Sequence, residues 1–325
     1  MTDKTHYRFA LISDVHIDRE NGGKNTYFIF AEQNFKRALD VIKRRGCDFI
    51  ISAGDQITNA SGPCDEWQVY RSIIDGSGYD GQIYEALGNH ELRSAKYGIN
   101  TLDDCVRDFI EYTKLAEKDI KRPDGAPYYL RIDPVFGDVF IFMALEAGMD
   151  VNSLDNFSEK QMDWVEAAVE KYTRKNRRIF LIQHANLCGY GAGDDISAPA
   201  YKGAIRTHDE NGKPFKNNLR FKALIEKYRD IIWLSGHTHT DLADNVNYSD
   251  NGGRSCHMLH IPALAGTTRL KRTEDGNTLD RTFREKASQG YIVDVYEDKS
   301  VFSGINFRYD SIYPQFTYTI PKNKS

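Results

Sequence analysis

Short apolar runs alternate with amphipathic stretches through the first ninety or so residues, and the order of these runs predicts a β-α-β-α-β series. Residues 7–13 (YRFALIS) read as a strand of aromatic and aliphatic positions that stops at Asp14-Val15-His16. In 34–45 (NFKRALDVIKRR), Phe35, Leu39 and Ile42 recur at helical spacing, and Gly46 is a stop. Residues 47–53 (CDFIISA) give the next strand, ending at Gly54-Asp55. A short helix over 66–74 and a strand over 82–87 follow, the latter ending at Gly88-Asn89-His90-Glu91. Such alternation predicts a parallel sheet joined by crossover helices.

The pattern continues with a helix over 102–118 and a hairpin of strands 128–132 and 139–145 around Pro134 and Gly137. Ser158 and Gln161 have capping-box spacing before a helix over 159–172. The strand 178–183 ends at His184, and 185–218 is a long Gly- and Asp-rich stretch without periodicity, a length that in compact domains usually signals function. A helix over 219–228 leads to a strand over 230–235, which ends at Gly236-His237-Thr238-His239. The remainder holds strand-like runs such as 290–296 and 316–320. With no low-complexity linker and no internal repeat, residues 1–325 are expected to form a single domain.

Composition narrows the class. Hydrophobic residues make up 40% and charged residues 28%, as in a globular chain with a sizeable core. The net charge of −4 gives no general attraction to nucleic acid or anionic membrane. No stretch approaches the roughly 18 apolar residues of a transmembrane helix. Five scattered cysteines, odd in number and without a C-x-x-C pair, read as free thiols, so a cytoplasmic protein is expected.

The chemistry gathers at five strand ends: Asp14 and His16, Asp55, Asn89 with His90, His184, and His237 with His239. In open α/β sheets ligands bind beyond the carboxyl ends of strands. Asp14/His16 and His237/His239 are each one residue apart, and on an extended backbone such pairs point to one side. Imidazole with carboxylate suits Zn, Fe or Mn better than Mg or Ca. Taken singly, each motif has a bland reading: Gly-Asp after a strand is mostly turn chemistry, and D-x-H is common. Two histidines in three residues are harder to dismiss in a chain with nine.

D-x-H, G-D, G-N-H-E, a lone His after a strand and G-H-T-H, in that order over residues 14–239, resemble the calcineurin-like metallophosphoesterase superfamily. The resemblance implies an α/β fold, a four-layer αββα sandwich with the site at the sheet edges. It implies two transition metal ions (Mn, Fe or Zn). One would be held by Asp14, His16, Asp55 and His239, the other by Asp55, Asn89, His184 and His237, with Asp55 bridging. His90 would be the general acid or a phosphate contact. The expected reaction is hydrolysis of a phosphate mono- or diester by a metal-bridging hydroxide, since a water between two cations is acidified toward neutral pH. A cyclic-nucleotide-type phosphodiesterase is one possibility within it.

Two rivals stand beside this reading. A nuclease is disfavoured by the absence of a basic stripe. A metal-free interaction scaffold, as arises where this fold loses ligands, is disfavoured by the complete ligand set. His6, His208, His257 and His260 lack a strand-end context and are expected in the core or at the surface. Arg93 is a candidate phosphate contact, though an Arg there is more often solvated. Tyr190, Asp194 and Asp195 in the long loop are candidate substrate contacts.

Overall fold

The computed structural model describes residues 5–18, 28–58, 65–146, 155–193, 205–244, 246–272 and 279–322. It contains β1 (Tyr7–Ile12), α1 (Ala31–Arg44), β2 (Phe49–Ser52), α2 (Asp65–Gly76), β3 (Gln82–Glu85), α3 (Arg93–Lys96), α4 (Leu102–Tyr112), β4 (Tyr129–Ile132) and β5 (Val139–Phe142). There follow α5 (Glu159–Thr173), β6 (Ile179–Ile182), α6 (Lys216–Lys227), β7 (Ile231–Ser235), β8 (Tyr248–Ser249) and β9 (His257–His260). The last part is all strand: β10 (Thr267–Arg272), β11 (Leu279–Arg284), β12 (Gln289–Val295), β13 (Lys299–Asn306) and β14 (Ser311–Pro321).

Two six-stranded sheets result, ordered β14-β13-β12-β1-β2-β3 and β4-β5-β6-β7-β9-β8, with β10 and β11 forming a separate ribbon. The predicted β-α-β-α-β series is there: β1, β2 and β3 run parallel, with Phe9 opposite Phe49 and Phe49 opposite Gln82. The predicted hairpin is there too, β4 against β5, and β5, β6, β7 and β9 then run parallel.

Strand alternation sorts the second sheet's side chains into two cores. Phe140, Phe142, Phe180, Ile182, Ile232 and Leu234 pack with Phe9 and Phe49 of the first sheet, while Val139, Ile141, Leu181 and Trp233 pack under α5 and α6. Between the sheets the Phe9 ring meets Phe140 and Phe180 edge-on at 5.8 and 5.7 Å. On the first sheet's outer side α1 contributes Phe35, Ala38, Leu39 and Ile42. Helix, sheet, sheet, helix is the expected four-layer order.

Three local readings need correction. The helix predicted over 102–118 ends at Tyr112, because Lys114 turns left-handed (φ 53°) and a single 3₁₀ turn follows over Leu115–Glu117. Ser158 does cap α5 through Gln161 N, but the Gln161 side chain does not return to Ser158. Instead it pairs with the Ala144 backbone, donating to its carbonyl at 3.0 Å and accepting from its N–H at 2.8 Å. The complete capping box is Thr101 with Asp104 at the start of α4. Helix α6 begins at Lys216, three residues earlier than its periodicity suggested.

Candidate metal centre

Every predicted site residue lies just past the carboxyl end of a strand: Asp14 and His16 after β1, Asp55 after β2, Asn89 and His90 after β3, His184 after β6, His237 and His239 after β7. The two sheets bring these ends together. His239 Nε2 is 3.0 Å from Asp14 Oδ1 and 3.0 Å from His16 Nε2. His184 Nε2 is 3.0 Å from Asp55 Oδ2, and His237 Nδ1 lies 2.9 Å from Asn89 Oδ1 and 3.3 Å from His184 Nε2. Asp55 Oδ2 reaches both halves, standing 3.8 Å from His16 Nε2 and 4.0 Å from His90 Nε2.

The pairs converge for a reason other than the extended alternation expected from their spacing. Asp14, His16, Asp55, His237 and His239 all have φ between 47° and 75°. Left-handed backbone at a non-glycine residue costs of order 1–3 kcal/mol and persists only where the surroundings impose it. Here hydrogen bonds impose it. Asp14 Oδ2 accepts from His237 N at 3.0 Å, and Asp55 Oδ1 accepts from His90 N at 2.9 Å, so each carboxylate spends one oxygen on a neighbouring loop and turns the other toward the imidazoles.

Glycines permit the approach. A Cβ on Gly236 would strike Ser13 and Asp14, and one on Gly54 (φ 117°) would strike the His184 ring. Glu91, the last residue of G-N-H-E and given no role from sequence, is fully buried and accepts from the backbone N–H of Gly88 at 2.7 Å, Gln56 at 2.6 Å and Asp55 at 3.2 Å. It ties the β2 loop to the β3 loop. Its signal was the carboxylate following two candidate site residues.

Electrostatics mark the cluster as poised for cations. Burial would raise both aspartates, but the surrounding imidazoles, His239 first for Asp14 and His184 first for Asp55, hold both below the usual carboxylate range. Burial pulls His184 down, yet Asp55 and Asp14 outweigh it and bring its pKa to about 9. Burial takes His237 to about 4, with His184 adding to the effect. Burial also takes His90 to about 3 against the pull of Asp55, with His16 and Arg93 lowering it further. A neutral His90 departs from the proton-donor state expected from an ordinary imidazole. Its Nδ1 faces the Thr58 carbonyl at 2.9 Å and Arg93 Nη1 at 3.3 Å.

The donor set fits a pair of cations. His16 Nδ1 is buried without a hydrogen-bond partner, and Asp14 Oδ1 faces imidazole, 3.0 Å from His239 Nε2. Asp14, His16 and His239 form one group able to hold an ion, Asp55, His184 and His237 another, and His16, Asp55 and His90 a third that overlaps both. His184 directs Nδ1 at the Ala53 carbonyl, 2.9 Å away, which leaves Nε2 facing the cluster.

The remaining candidates are placed as follows. His6 stacks on Phe136 with ring centroids 3.9 Å apart, His208 is exposed, and His257 sits beside Tyr248. His260 is fully buried, but behind the His237/His239 loop. Tyr190 bonds Glu226 at 3.0 Å, away from the cluster, and Asp194 and Asp195 lie outside the described residues. Sequence reasoning also missed Phe28, whose ring stacks on His16 at 4.3 Å and 11°.

Candidate metal-ligand groups at the carboxyl ends of strands from two facing sheets accord with the class of metallophosphoesterases, hydrolases of phosphoric esters. The chain belongs to the calcineurin-like phosphoesterase family, which it matches over residues 7–241. Among solved structures it is similar to a dimetal phosphatase from Danio rerio, with TM-score 0.60 and 13% identity, covering 98% of this chain and 100% of that one. It is also similar to a purple acid phosphatase from yellow lupin (Lupinus luteus) seeds, with TM-score 0.59 and 16% identity, covering 97% of this chain and 53% of that one. No curated protein matches the sequence. Among the described residues no helix is long and apolar enough to cross a membrane.

Proposed function

We propose that this chain hydrolyses a small phosphate mono- or diester at a two-metal centre. In this reading Asp14, His16, Asp55 and His239 hold one ion, and Asp55, Asn89, His184 and His237 hold the other. The observation that carries it is the position of Asp55 Oδ2, 3.0 Å from His184 and 3.8 Å from His16, one oxygen between the two ligand groups. Bound there, two transition metal ions supply Lewis acidity, acidifying water and neutralising phosphoryl charge.

The chain's own groups do the rest. The carboxylates, ionised and anchored by backbone N–H donors, fix the geometry before substrate arrives. His90, partly buried beside Asp55, is the residue proposed to meet the phosphoryl or leaving-group oxygen. With Nδ1–H donated to Thr58, its neutral Nε2 faces the site, where a proton taken from solvent would be passed on to the leaving group. Arg93 beside it supplies fixed positive charge.

Within this class a cyclic-nucleotide-type phosphodiesterase is one form to test, and a phosphomonoesterase is the other. The net charge of −4 speaks for a small ester rather than nucleic acid. We further read residues 1–325 as one domain, since β12 from the last part pairs with β1 in a single sheet. Cys47, Cys105 and Cys256 are free thiols, which supports a cytoplasmic location.

Turnover of bis-(p-nitrophenyl) phosphate against p-nitrophenyl phosphate, with Mn added, tests the reading. Turnover of either supports it; faster turnover of the diester selects the phosphodiesterase form, and preference for the monoester selects the phosphomonoesterase. Failure of both, with no bound metal, overturns the proposed centre.

A further inference from the structure

The loop carrying His237 and His239 holds two left-handed residues, φ 75° and 57°, on either side of Thr238. Backbone of that kind must be pinned from several sides. Asp14 pins His237 through its N–H, and Thr268 N donates to the His239 carbonyl at 2.7 Å. The third anchor is the Thr238 side chain. Its hydroxyl oxygen lies 2.8 Å from His260 Nε2, 2.9 Å from the Gly193 carbonyl and 3.0 Å from Thr240 Oγ1.

The hydrogen-bond directions can be worked out from the far end. Asn247 Nδ2 donates to the carbonyls of Asp241 and Leu242 at 3.1 and 3.3 Å. Turning that amide over would set its oxygen against two carbonyl oxygens, so Oδ1 is the atom facing His260 Nδ1 at 2.8 Å. An acceptor there requires the hydrogen on Nδ1. Burial drives the His260 pKa down to about 3 against the pull of Asp14, with His239, His237 and His184 lowering it further, so the ring is neutral. Its Nε2 therefore keeps a lone pair and calls for a donor, which the Thr238 hydroxyl supplies. Thr240 can in turn donate to Thr238 or to the Gly193 carbonyl, 3.4 Å away. The packing leaves no slack, since a Cβ on Gly193 would run into the His260 ring.

We infer that His260 is a positioning residue: through Thr238 it holds the His237/His239 loop in the shape that receives metal. The inference rests on the metal-centre reading and adds a chain, Asn247 to His260 to Thr238, that lies outside the ligand set. Neutral side chains that orient ligands from behind typically change metal affinity 10- to 100-fold when removed.

Calorimetric titration of Mn(II) into chelator-stripped protein tests it with three variants. Thr238→Val keeps the branched shape and deletes the hydroxyl. His260→Gln places an amide oxygen near the Nε2 position, where it can still accept from Thr238. His260→Asn reaches only toward Asn247. The expected result is at least about tenfold weaker binding for Thr238→Val and His260→Asn, with His260→Gln restored toward wild type. A purely structural role would not separate Gln from Asn in this way. Wild-type affinity in Thr238→Val, or equal loss in both His260 variants, overturns the inference while leaving the metal centre standing. If the His260 variants fail to fold, Thr238→Val alone decides. A wild-type protein that binds no Mn(II) overturns the metal centre, and the inference with it.

Discussion

Two buried polar clusters join the same two sheets at opposite ends of their strands. At the amino ends, Tyr7 of β1 donates to Asp138 Oδ2 at 2.7 Å, and Arg178, just before β6, donates to the same oxygen at 3.1 Å. Arg178 Nη2 also donates to the carbonyls of Tyr296 and Glu297 at 2.8 and 3.2 Å. At the carboxyl ends, imidazole nitrogens face one another and His16 Nδ1 has no partner. The first cluster is closed, with each charge matched by its partners. The second is open and backbone-strained, and makes sense when cations complete it. Burial of polar groups is common to both; unmet demand separates the site from the staple.

That contrast can be broken at either end. Asp55→Asn is expected to have the largest effect on activity, abolishing turnover, because in the proposed centre its carboxylate serves both ligand groups; metal analysis should show both ions lost together. Arg178→Met leaves Asp138 buried without its charge partner and should cost about 3–5 kcal/mol in denaturant unfolding, while metal content stays at the wild-type level. Metal loss in that variant would erase the distinction between the two clusters. His90→Asn should lower turnover by roughly 10²-fold with metal content intact. Loss of metal with turnover would make His90 a ligand.

The smallest effect is in protons. His184, at about pKa 9, carries a proton in the metal-free protein at pH 7, and a ligand must give it up. Mn(II) binding at pH 7 should therefore release about one proton from this group, read by titration in buffers of different ionisation heat, and affinity should rise as pH climbs toward 9. A folded-state pKa above the unfolded value stabilises the metal-free protein fully below about pH 6.5, and that contribution fades as pH rises through 9. The closed cluster should show no such proton release.

Much of the site was legible because its residues are chemically unusual and sit at strand ends that apolar runs announce. His184 stands alone in sequence, yet the run 178–183 before it fixed its place. The reason first attached to the D-x-H and H-T-H pairs did not hold, since left-handed φ is set by contacts between loops and leaves no mark in spacing. Glu91 and His260 went unassigned for the same reason: their partners are backbone groups and a threonine hydroxyl that only the fold brings near. The break at Lys114 was hidden because the helical pattern of 102–118 carries on through a residue that turns the chain. Joining β12, β13 and β14 to β1 required long-range pairing that alternation alone does not specify.

The most direct test of the central claim is an anomalous difference map from crystals grown with Mn(II). The expected result is two peaks roughly 3.5–4 Å apart, one on each side of Asp55 Oδ2, the first among Asp14, His16 and His239 and the second among Asn89, His184 and His237. A single peak, or two peaks that do not share Asp55, would contradict it.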